Sequence, residues 1–210
     1  MCYTYRTMKK FLSIMLILVI CVSAVSCGGG SSNSDAKPVI NAAEKYLDVD
    51  PGDWYEESVS WGVSEGIIQE TKPDLFGATT AMTKAQIILT MWKAAGAPGR
   101  VISAKSVPDS DPNSDFSKAV AWGLEKGVIK INSDYSSTDI ASRLEAIEFM
   151  WKEAESPSVN SNDNFEDTPN NVAVSWAKLN GITYGIGHNL FGPDLDCTKS
   201  QMITFLFRAK

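Results

Sequence analysis

Residues 174–182 read Val-Ser-Trp-Ala-Lys-Leu-Asn-Gly-Ile, and the same pattern of residue types occurs twice earlier in the chain. The earlier copies begin at Val59 and Val120, and in all three copies the glycine follows the tryptophan by five residues. Chance does not repeat such a spacing three times in 210 residues. The chain is therefore predicted to consist mainly of internal repeats.

Each copy lies in a longer block, and we number the predicted blocks from the N-terminus as 46–98, 106–157 and 164–210. After the glycine, every block contains an aromatic residue and then four residues that we call the tetrad. The tetrad consists of a Thr or Ser, a basic residue, a variable residue, and a Gln or Glu. The tetrads occupy residues 83–86, 142–145 and 198–201. An aromatic residue follows each base by eight positions, so the spacing persists beyond the tetrad.

Each block is predicted to form two helices joined by a loop. The first helix is expected to end at a glycine, which suits the position just past a helix end, where a positive φ is common. These glycines are Gly66, Gly127 and Gly181. The tetrad is expected to start the second helix, because its hydroxyl and its Gln or Glu stand three residues apart, as in a capping box. Apolar residues then recur at helical spacing on one face: Ala85, Ile88, Leu89 and Trp92; Leu144, Ile147 and Trp151; Ile203 and Phe207.

The tetrad bases are Lys84, Arg143 and Lys199. They fall in the first helical turn, where the helix dipole disfavours a cation. Because the unfavourable position recurs three times, another interaction of these cations is expected to offset its cost. A cation beside unpaired helix N–H groups forms a compact anion site. Replacing the bases with Ala is then expected to leave folding unharmed. The alternative is a solvated side chain on an exposed turn.

The blocks resemble S-layer homology (SLH) repeats over residues 46–210. The resemblance is carried by the aromatic-x-Asp motifs, by the Val-x-Trp and Gly-Ile pattern, by Phe191-Gly192-Pro193 and by the tetrads. It implies a mainly α fold in which three tandem SLH helix-loop-helix repeats form a pseudo-threefold helical bundle with grooves between the repeats. In SLH domains the tetrad arginine contacts acidic or ketal-bearing sugars of secondary cell-wall polymers. The resemblance therefore implies polysaccharide binding at the three tetrad bases.

Four further residues are candidate polysaccharide contacts. Asp48, Asp109 and Asp167 share one position, where a carboxylate could accept sugar hydroxyls or cap the start of each block. Trp54 has no counterpart in the other blocks, so it is more open to a ligand role.

Other aromatic and histidine side chains are interpreted as structural or solvent-facing. The tryptophans of the repeated pattern could stack on a sugar face, but a core role is favoured because an aromatic residue at a fixed helical position is usually buried; they are Trp61, Trp122 and Trp176. His188 lies in a Gly-rich loop and is interpreted as facing solvent.

Residues 1–26 are predicted to be a signal peptide of lipoprotein type. Two lysines precede an apolar run, 11–22, which is too short for an ordinary spanning helix. The small residues before Cys27 resemble the bacterial lipobox, which implies lipidation of this cysteine. The alternative is a plain signal peptide, or an uncleaved anchor, with an unmodified cysteine. Residues 27–45 are predicted to be the lipidated cysteine and a flexible linker.

Charge and cysteine content argue against several classes of function. The full chain carries a net charge of −6, and removal of a leader with three bases and no acids lowers it to −9. Such a chain is not expected to bind nucleic acid. The sequence contains no CxxC motif and no cluster of Cys and His, so no metal site or other cofactor is predicted.

We therefore predict a non-catalytic, exported lipoprotein of the cell envelope that is membrane-anchored and faces the cell wall. Its partner is expected to be a secondary cell-wall polymer or a peptidoglycan-linked glycan, so that the protein tethers the membrane to the wall. The alternative is a protein-interaction module in which degenerate SLH repeats dock another envelope protein. A small glycan-processing enzyme is disfavoured, because the sequence contains no recognisable catalytic motif.

Overall fold

The computed structural model describes residues 37–99, 114–130, 136–159 and 164–210. The predictions for the signal peptide, for Cys27 and for Asp109 lie outside these ranges. Within them the chain forms seven α-helices and no β-strand longer than an isolated bridge. The helices are α1 (Ala42–Lys45), α2 (Glu56–Ser64), α3 (Lys84–Ala94), α4 (Asp115–Glu125), α5 (Arg143–Glu153), α6 (Val172–Leu179) and α7 (Lys199–Ala209). The prediction of a mainly α fold is confirmed.

The second helix of each block begins at its tetrad, as predicted. The hydroxyl of Thr83, Ser142 or Thr198 accepts a hydrogen bond from the N–H of the fourth tetrad residue, whose side chain accepts one from the N-cap N–H in return. All three capping boxes are therefore confirmed. Each N-cap of this kind stabilises its helix by about 1 kcal/mol, because it satisfies N–H groups that have no partner within the helix.

The predicted glycine positions at the ends of the first helices are also confirmed. Gly66, Gly127 and Gly181 follow α2, α4 and α6 with φ values of 72°, 68° and 68°. Glycine adopts this left-handed conformation without the steric cost that a Cβ adds. The chain can therefore turn sharply out of each first helix and into the loop that precedes the next tetrad.

The first helix of each block packs against the second helix of a different block. α2 lies against α7, α4 against α3, and α6 against α5. Gly62 permits the close approach of α2 to α7, since a Cβ on it would lie 2.4 Å from Cδ1 of Ile203. The approach is looser at Gly123 of α4, where a Cβ would lie 3.2 Å from Cγ2 of Ile88. The blocks therefore bury their apolar surface against one another.

One isoleucine from each second helix is fully buried in the shared core: Ile88, Ile147 and Ile203. These residues belong to the predicted apolar faces. In α3 the buried surface is wider than that face, because Ile87 and Met91 are buried as well. The reason is that α3 contacts α4, α5 and α7 at once.

Three backbone hydrogen bonds form a closed ring among the segments that precede α3, α5 and α7. The N–H of Met82 donates to the carbonyl of Cys197, the N–H of Cys197 to Ala141, and the N–H of Ala141 to Met82, each at 2.9 Å. The ring joins the three blocks, as a pseudo-threefold relation among these segments requires. The block boundaries and the threefold arrangement of the whole bundle stay predictions.

Candidate functional site

The first turn of each second helix contacts the loop of another block, and we call these three contact regions junctions. In the first junction the N–H of Lys84 donates to the carbonyl of Asp139 at 2.9 Å. In the second junction the N–H of Arg143 donates to the carbonyl of Leu195 at 2.8 Å, and in the third the N–H of Lys199 donates to the carbonyl of Thr80 at 3.0 Å. The N–H of the second residue in each helix donates to a carbonyl of the same loop. The N–H of the third residue donates to the hydroxyl of the N-cap residue. The hypothesis of an anion held by free helix N–H groups is therefore wrong, because those groups bind protein carbonyls.

The third junction encloses the side chain of Lys199, which is 9% exposed. Its Nζ donates to the carbonyls of Gln69 (2.7 Å) and Phe76 (2.5 Å) and to Oγ1 of Thr71 (2.9 Å). The ammonium also lies 4.5 Å from the centre of the Phe76 ring. Burial lowers the pKa of Lys199 to about 8, although the nearby carboxylate of Asp48 acts in the opposite direction. All three ammonium donors are therefore occupied by the first block.

The second junction encloses Arg143, which is only 2% exposed. Its Nε donates to the carbonyl of Phe191 at 3.0 Å, and the guanidinium lies over the rings of Phe191 and Phe205 at 4.8 and 5.4 Å. Its Nη2 is buried and has no hydrogen-bond partner among the described residues. Burial lowers the pKa of Arg143, and the neighbouring Asp167 opposes this shift. One strong donor in this junction therefore has no partner within the described part of the protein.

The first junction contains an ion pair between two tetrads. Nζ of Lys84 lies 2.8 Å from Oε1 of Glu145, and the two side chains are 13% and 33% exposed. Burial raises the pKa of Glu145, but the hydrogen bond from Lys84 and the N–H of Ser142 outweigh it and hold the pKa below its usual value. The cation of this junction therefore has a counter-ion within the protein.

Burial also corrects two expectations about the tetrad bases. The alternative of a solvated side chain on an exposed turn does not describe Arg143 or Lys199. The expectation that Ala replacement leaves folding unharmed is not supported either, since Lys199 alone satisfies two loop carbonyls.

Asp48 and Asp167 hold the loops that face the tetrad bases. The carboxylate of Asp48 accepts hydrogen bonds from the N–H groups of residues 76, 77 and 78 at 2.7 to 2.8 Å. Asp167 accepts from Phe191 and Gly192 at 2.8 and 2.7 Å. Burial raises the pKa of each carboxyl, but these backbone hydrogen bonds outweigh it and lower the pKa overall. Both carboxylates therefore shape a loop whose carbonyl a tetrad base binds, a role that neither sequence alternative described.

A cavity of about 340 Å³ lies at the third junction. Gln69, Thr90 and Lys93 contribute to its polar lining, and Ile68 and Leu89 to its apolar lining. Amide and hydroxyl groups around a partly apolar floor suit a ligand that presents both hydroxyls and C–H faces, as a sugar does. The sequence does not indicate that these residues line one cavity, because only packing brings them together.

The tryptophans separate into exposed and buried positions. Trp54 is 56% exposed and meets the Tyr55 ring edge-on at 5.0 Å, so it is accessible to a ligand. Trp122 and Trp176 are buried in the core, whereas Trp61 is half-buried beside Phe207. The core role favoured from the sequence therefore describes Trp122 and Trp176 best.

Three further observations concern His188, metal ligands and membrane-spanning helices. His188 is exposed, as interpreted from the sequence. Among the described residues, no group of three or more His, Cys, Asp or Glu side chains is placed to hold a metal ion. No helix within the described ranges has the length and apolar character needed to cross a membrane.

Comparison with known families places an S-layer homology domain at residues 45–88, a segment that contains α2 and the start of α3. The matched segment includes Asp48, Trp54 and Lys84. SLH is a family of binding domains that generally anchor to cell-wall polymers and occur in cell-envelope proteins. No curated protein matches the chain. The second and third blocks remain SLH repeats by prediction only.

Proposed function

We propose that this protein anchors itself to the cell wall by non-catalytic binding of an anionic polysaccharide. The ligand is a secondary cell-wall polymer or another peptidoglycan-linked glycan. The observation that carries the proposal is the SLH domain at residues 45–88, whose family generally anchors to such polymers. The second and third blocks share its tetrads and its capping boxes, and the junctions place a cation at the start of each second helix.

Local cations matter because the chain as a whole is acidic, with a net charge of −6. A uniformly distributed negative charge would repel an anionic polymer. Cations enclosed by protein attract an anion more strongly than solvated ones, because water screens them less. The weak affinity of a single site is increased when a repetitive polymer can rebind nearby.

The membrane end of the tether is proposed to be Cys27, followed by the Gly- and Ser-rich linker. A lipidated cysteine carries two or more acyl chains, which suffice for stable anchoring. The protein would then connect the membrane to the wall without spanning either.

The second candidate function is docking of another envelope protein. It is favoured by large apolar side chains that remain exposed in the third block. Leu179, Tyr184 and Leu195 are exposed by 61%, 72% and 51%. Such side chains mark a protein-binding surface when they form one contiguous patch.

A pull-down with purified cell-wall sacculi distinguishes the two functions. Sacculi that retain their bound polymer are expected to capture the purified chain, and sacculi stripped of the polymer are not. Capture that is equal on both preparations would contradict polymer binding. No capture on either would favour protein docking.

A further inference from the structure

We infer that Lys93, and not the tetrad base Lys199, binds the anionic group of the polysaccharide in the cavity at the third junction. The inference rests on the proposed function and goes beyond it, because it assigns the contact to a residue outside the tetrads. It follows from which polar groups of the cavity are already bound within the protein.

The cavity is formed almost entirely by the first block. Its volume of about 340 Å³ lies in the range of small-molecule sites, so it can hold a short segment of a sugar chain. Lys199 is the lining residue that comes from the third block. The first block contributes residues 67–71 and 80–82 and four residues of α3: Gln86, Leu89, Thr90 and Lys93.

Lys199 belongs to the wall of the cavity. Its Nζ donates to the carbonyls of Gln69 and Phe76 and to the hydroxyl of Thr71, so all three ammonium hydrogens are used. An anion at this ammonium would have to replace at least one of these acceptors. The tetrad base therefore shapes the cavity and adds positive charge to its lining, but it offers no free donor.

Lys93 differs from Lys199 in having no such partners. Its side chain is half-buried at the cavity, and it forms no ion pair, hydrogen bond or ring contact within the described ranges. The carboxylate of Glu70 also lines the cavity, but it is already bound by Nζ of Lys45 at 2.6 Å and by the hydroxyl of Tyr46 at 2.8 Å. A partly enclosed ammonium without a counter-ion attracts an anion more strongly than a solvated one, because water screens it less.

The bases at the corresponding positions of the other blocks have different surroundings. Lys93, Lys152 and Arg208 each follow a tetrad base by nine residues and lie in the last turn of a helix, where the dipole favours a cation. The dipole accounts for the charge in all three blocks. However, Lys152 lies 5.8 Å from the centre of the Phe149 ring and Arg208 lies 4.7 Å from that of Tyr184, whereas Lys93 lines the cavity.

The spacing along α3 indicates what kind of ligand fits. At a rise of 1.5 Å per residue, Lys93 lies about 13 Å along the helix axis from the tetrad base Lys84. Thr90 and Leu89 precede Lys93 by about one turn and line the same cavity. The hydroxyl of Thr90 can accept a hydrogen bond, since its own O–H donates to the carbonyl of Gln86 at 2.7 Å. The ligand is thus an acidic sugar unit whose anionic group binds Lys93, with a hydroxyl at Thr90 and a C–H face on Leu89.

The decisive variant is Lys93→Met, which keeps the length of the side chain and removes its charge. We expect it to bind polymer-bearing sacculi about tenfold more weakly than the wild type. Its melting temperature is expected to match the wild type, because Lys93 forms no hydrogen bond or ion pair within the described part of the fold. Lys93→Arg restores the charge, and Lys152→Met removes the corresponding charge of the second block. Both are expected to bind within about twofold of the wild type.

The salt dependence of binding separates a ligand contact from a structural effect. Binding by the wild type is expected to weaken as the salt concentration rises, because salt screens the attraction between the ammonium and the anion. Lys93→Met lacks this attraction, so its remaining binding is expected to depend less steeply on salt.

Wild-type binding in Lys93→Met would overturn the inference, while the proposed function would stand. An equal loss in Lys152→Met, or a loss in Lys93→Arg as large as that in Lys93→Met, would also overturn it, because binding would then not depend on a charge at this cavity. A lowered melting temperature of Lys93→Met with an unchanged salt dependence would assign the residue a structural role instead. A wild type that does not distinguish intact from stripped sacculi would contradict the proposed function itself, and this inference with it.

Discussion

Nζ of Lys199 donates a hydrogen bond to the carbonyl oxygen of Phe76, which lies 123 residues earlier in the chain. The backbone N–H of Phe76 donates to the carboxylate of Asp48 at 2.7 Å. One peptide segment is therefore held by an ammonium from the third block and a carboxylate from the first. This arrangement makes both charged groups part of the fold, and it leads to measurable effects on stability.

Replacing Lys199 with Met is expected to destabilise the protein by about 1–3 kcal/mol at pH 7, because two buried carbonyls lose their donor. The folded pKa of about 8 lies below the unfolded value of 10.5. The unfolded chain therefore binds more protons between these values, and the stability of the wild type rises with pH relative to the variant. Urea unfolding of both proteins at pH 7 and pH 9.5 tests this. An equal difference at the two pH values would contradict it.

Replacing Asp48 with Asn is expected to cost about 1–3 kcal/mol, because hydrogen bonds from three N–H groups to a carboxylate are stronger than those to an amide. The backbone hydrogen bonds hold the folded pKa of Asp48 below its ordinary value of 3.8. Its contribution is therefore fully present above pH 3.8 and is lost as the pH falls through the folded pKa. The variant should accordingly be less sensitive than the wild type to acid below pH 4 in thermal melts. Asp194→Asn, at an exposed position, serves as the control and should match the wild type.

Gly62→Ala and Gly123→Ala are expected to change the free energy of unfolding by different amounts or in opposite directions. Alanine favours a helix over glycine by about 1 kcal/mol at both positions. At Gly62 the new Cβ would lie 2.4 Å from the fully buried Ile203, and overpacking of about 1–3 kcal/mol should outweigh that gain. At Gly123 the nearest contact is 3.2 Å, so the change should be close to neutral. Equal melting temperatures for the two variants would show that α2 can move away from α7 without cost.

Deleting residues 164–210 is expected to abolish cooperative unfolding of the remaining chain. The deletion removes α7, against which α2 packs, and α6, which covers α5. It also removes the Cys197 member of the hydrogen-bonded ring. Differential scanning calorimetry of the truncated chain is the appropriate measurement. A sharp transition at the wild-type temperature would show that the first two blocks fold independently.

Replacing Cys27 with Ser is expected to release the protein from membranes of its native host, because the acyl chains would have no attachment site. Metabolic labelling with palmitate followed by membrane fractionation measures this directly. The wild type should carry the label and sediment with membranes, and the variant should do neither. An unlabelled wild type would show that the lipobox resemblance does not reflect lipidation.

The features that could be predicted from the sequence are those whose partners lie close together in the chain. A capping box joins Ser142 and Glu145, three residues apart, and its geometry follows from the helix itself. The junction contacts could not be predicted in this way. Asp48 binds N–H groups 28 to 30 residues later, and Lys199 binds acceptors 123 to 130 residues earlier.

For the same reason, the sequence does not determine whether a tetrad base forms an anion site or a solvated side chain. Whether a base at a helix start is solvated depends on the loop that another block places over it. The Lys84–Glu145 pair is a further example, because two tetrads of identical local design meet only after the blocks have packed. Local patterns therefore predict which residues begin the second helices, but not which groups of other blocks those residues contact.

The closed ring of hydrogen bonds among Met82, Ala141 and Cys197 restricts how many repeat units a molecule of this kind can contain. An open stack of repeats has two ends, and a further unit can be added at either one. In a closed ring every donor and every acceptor is already matched, so a fourth unit would have to break a hydrogen bond before it could enter. Growth by duplication of a single block is thereby opposed, and a longer protein of this design would be expected to add a whole second ring.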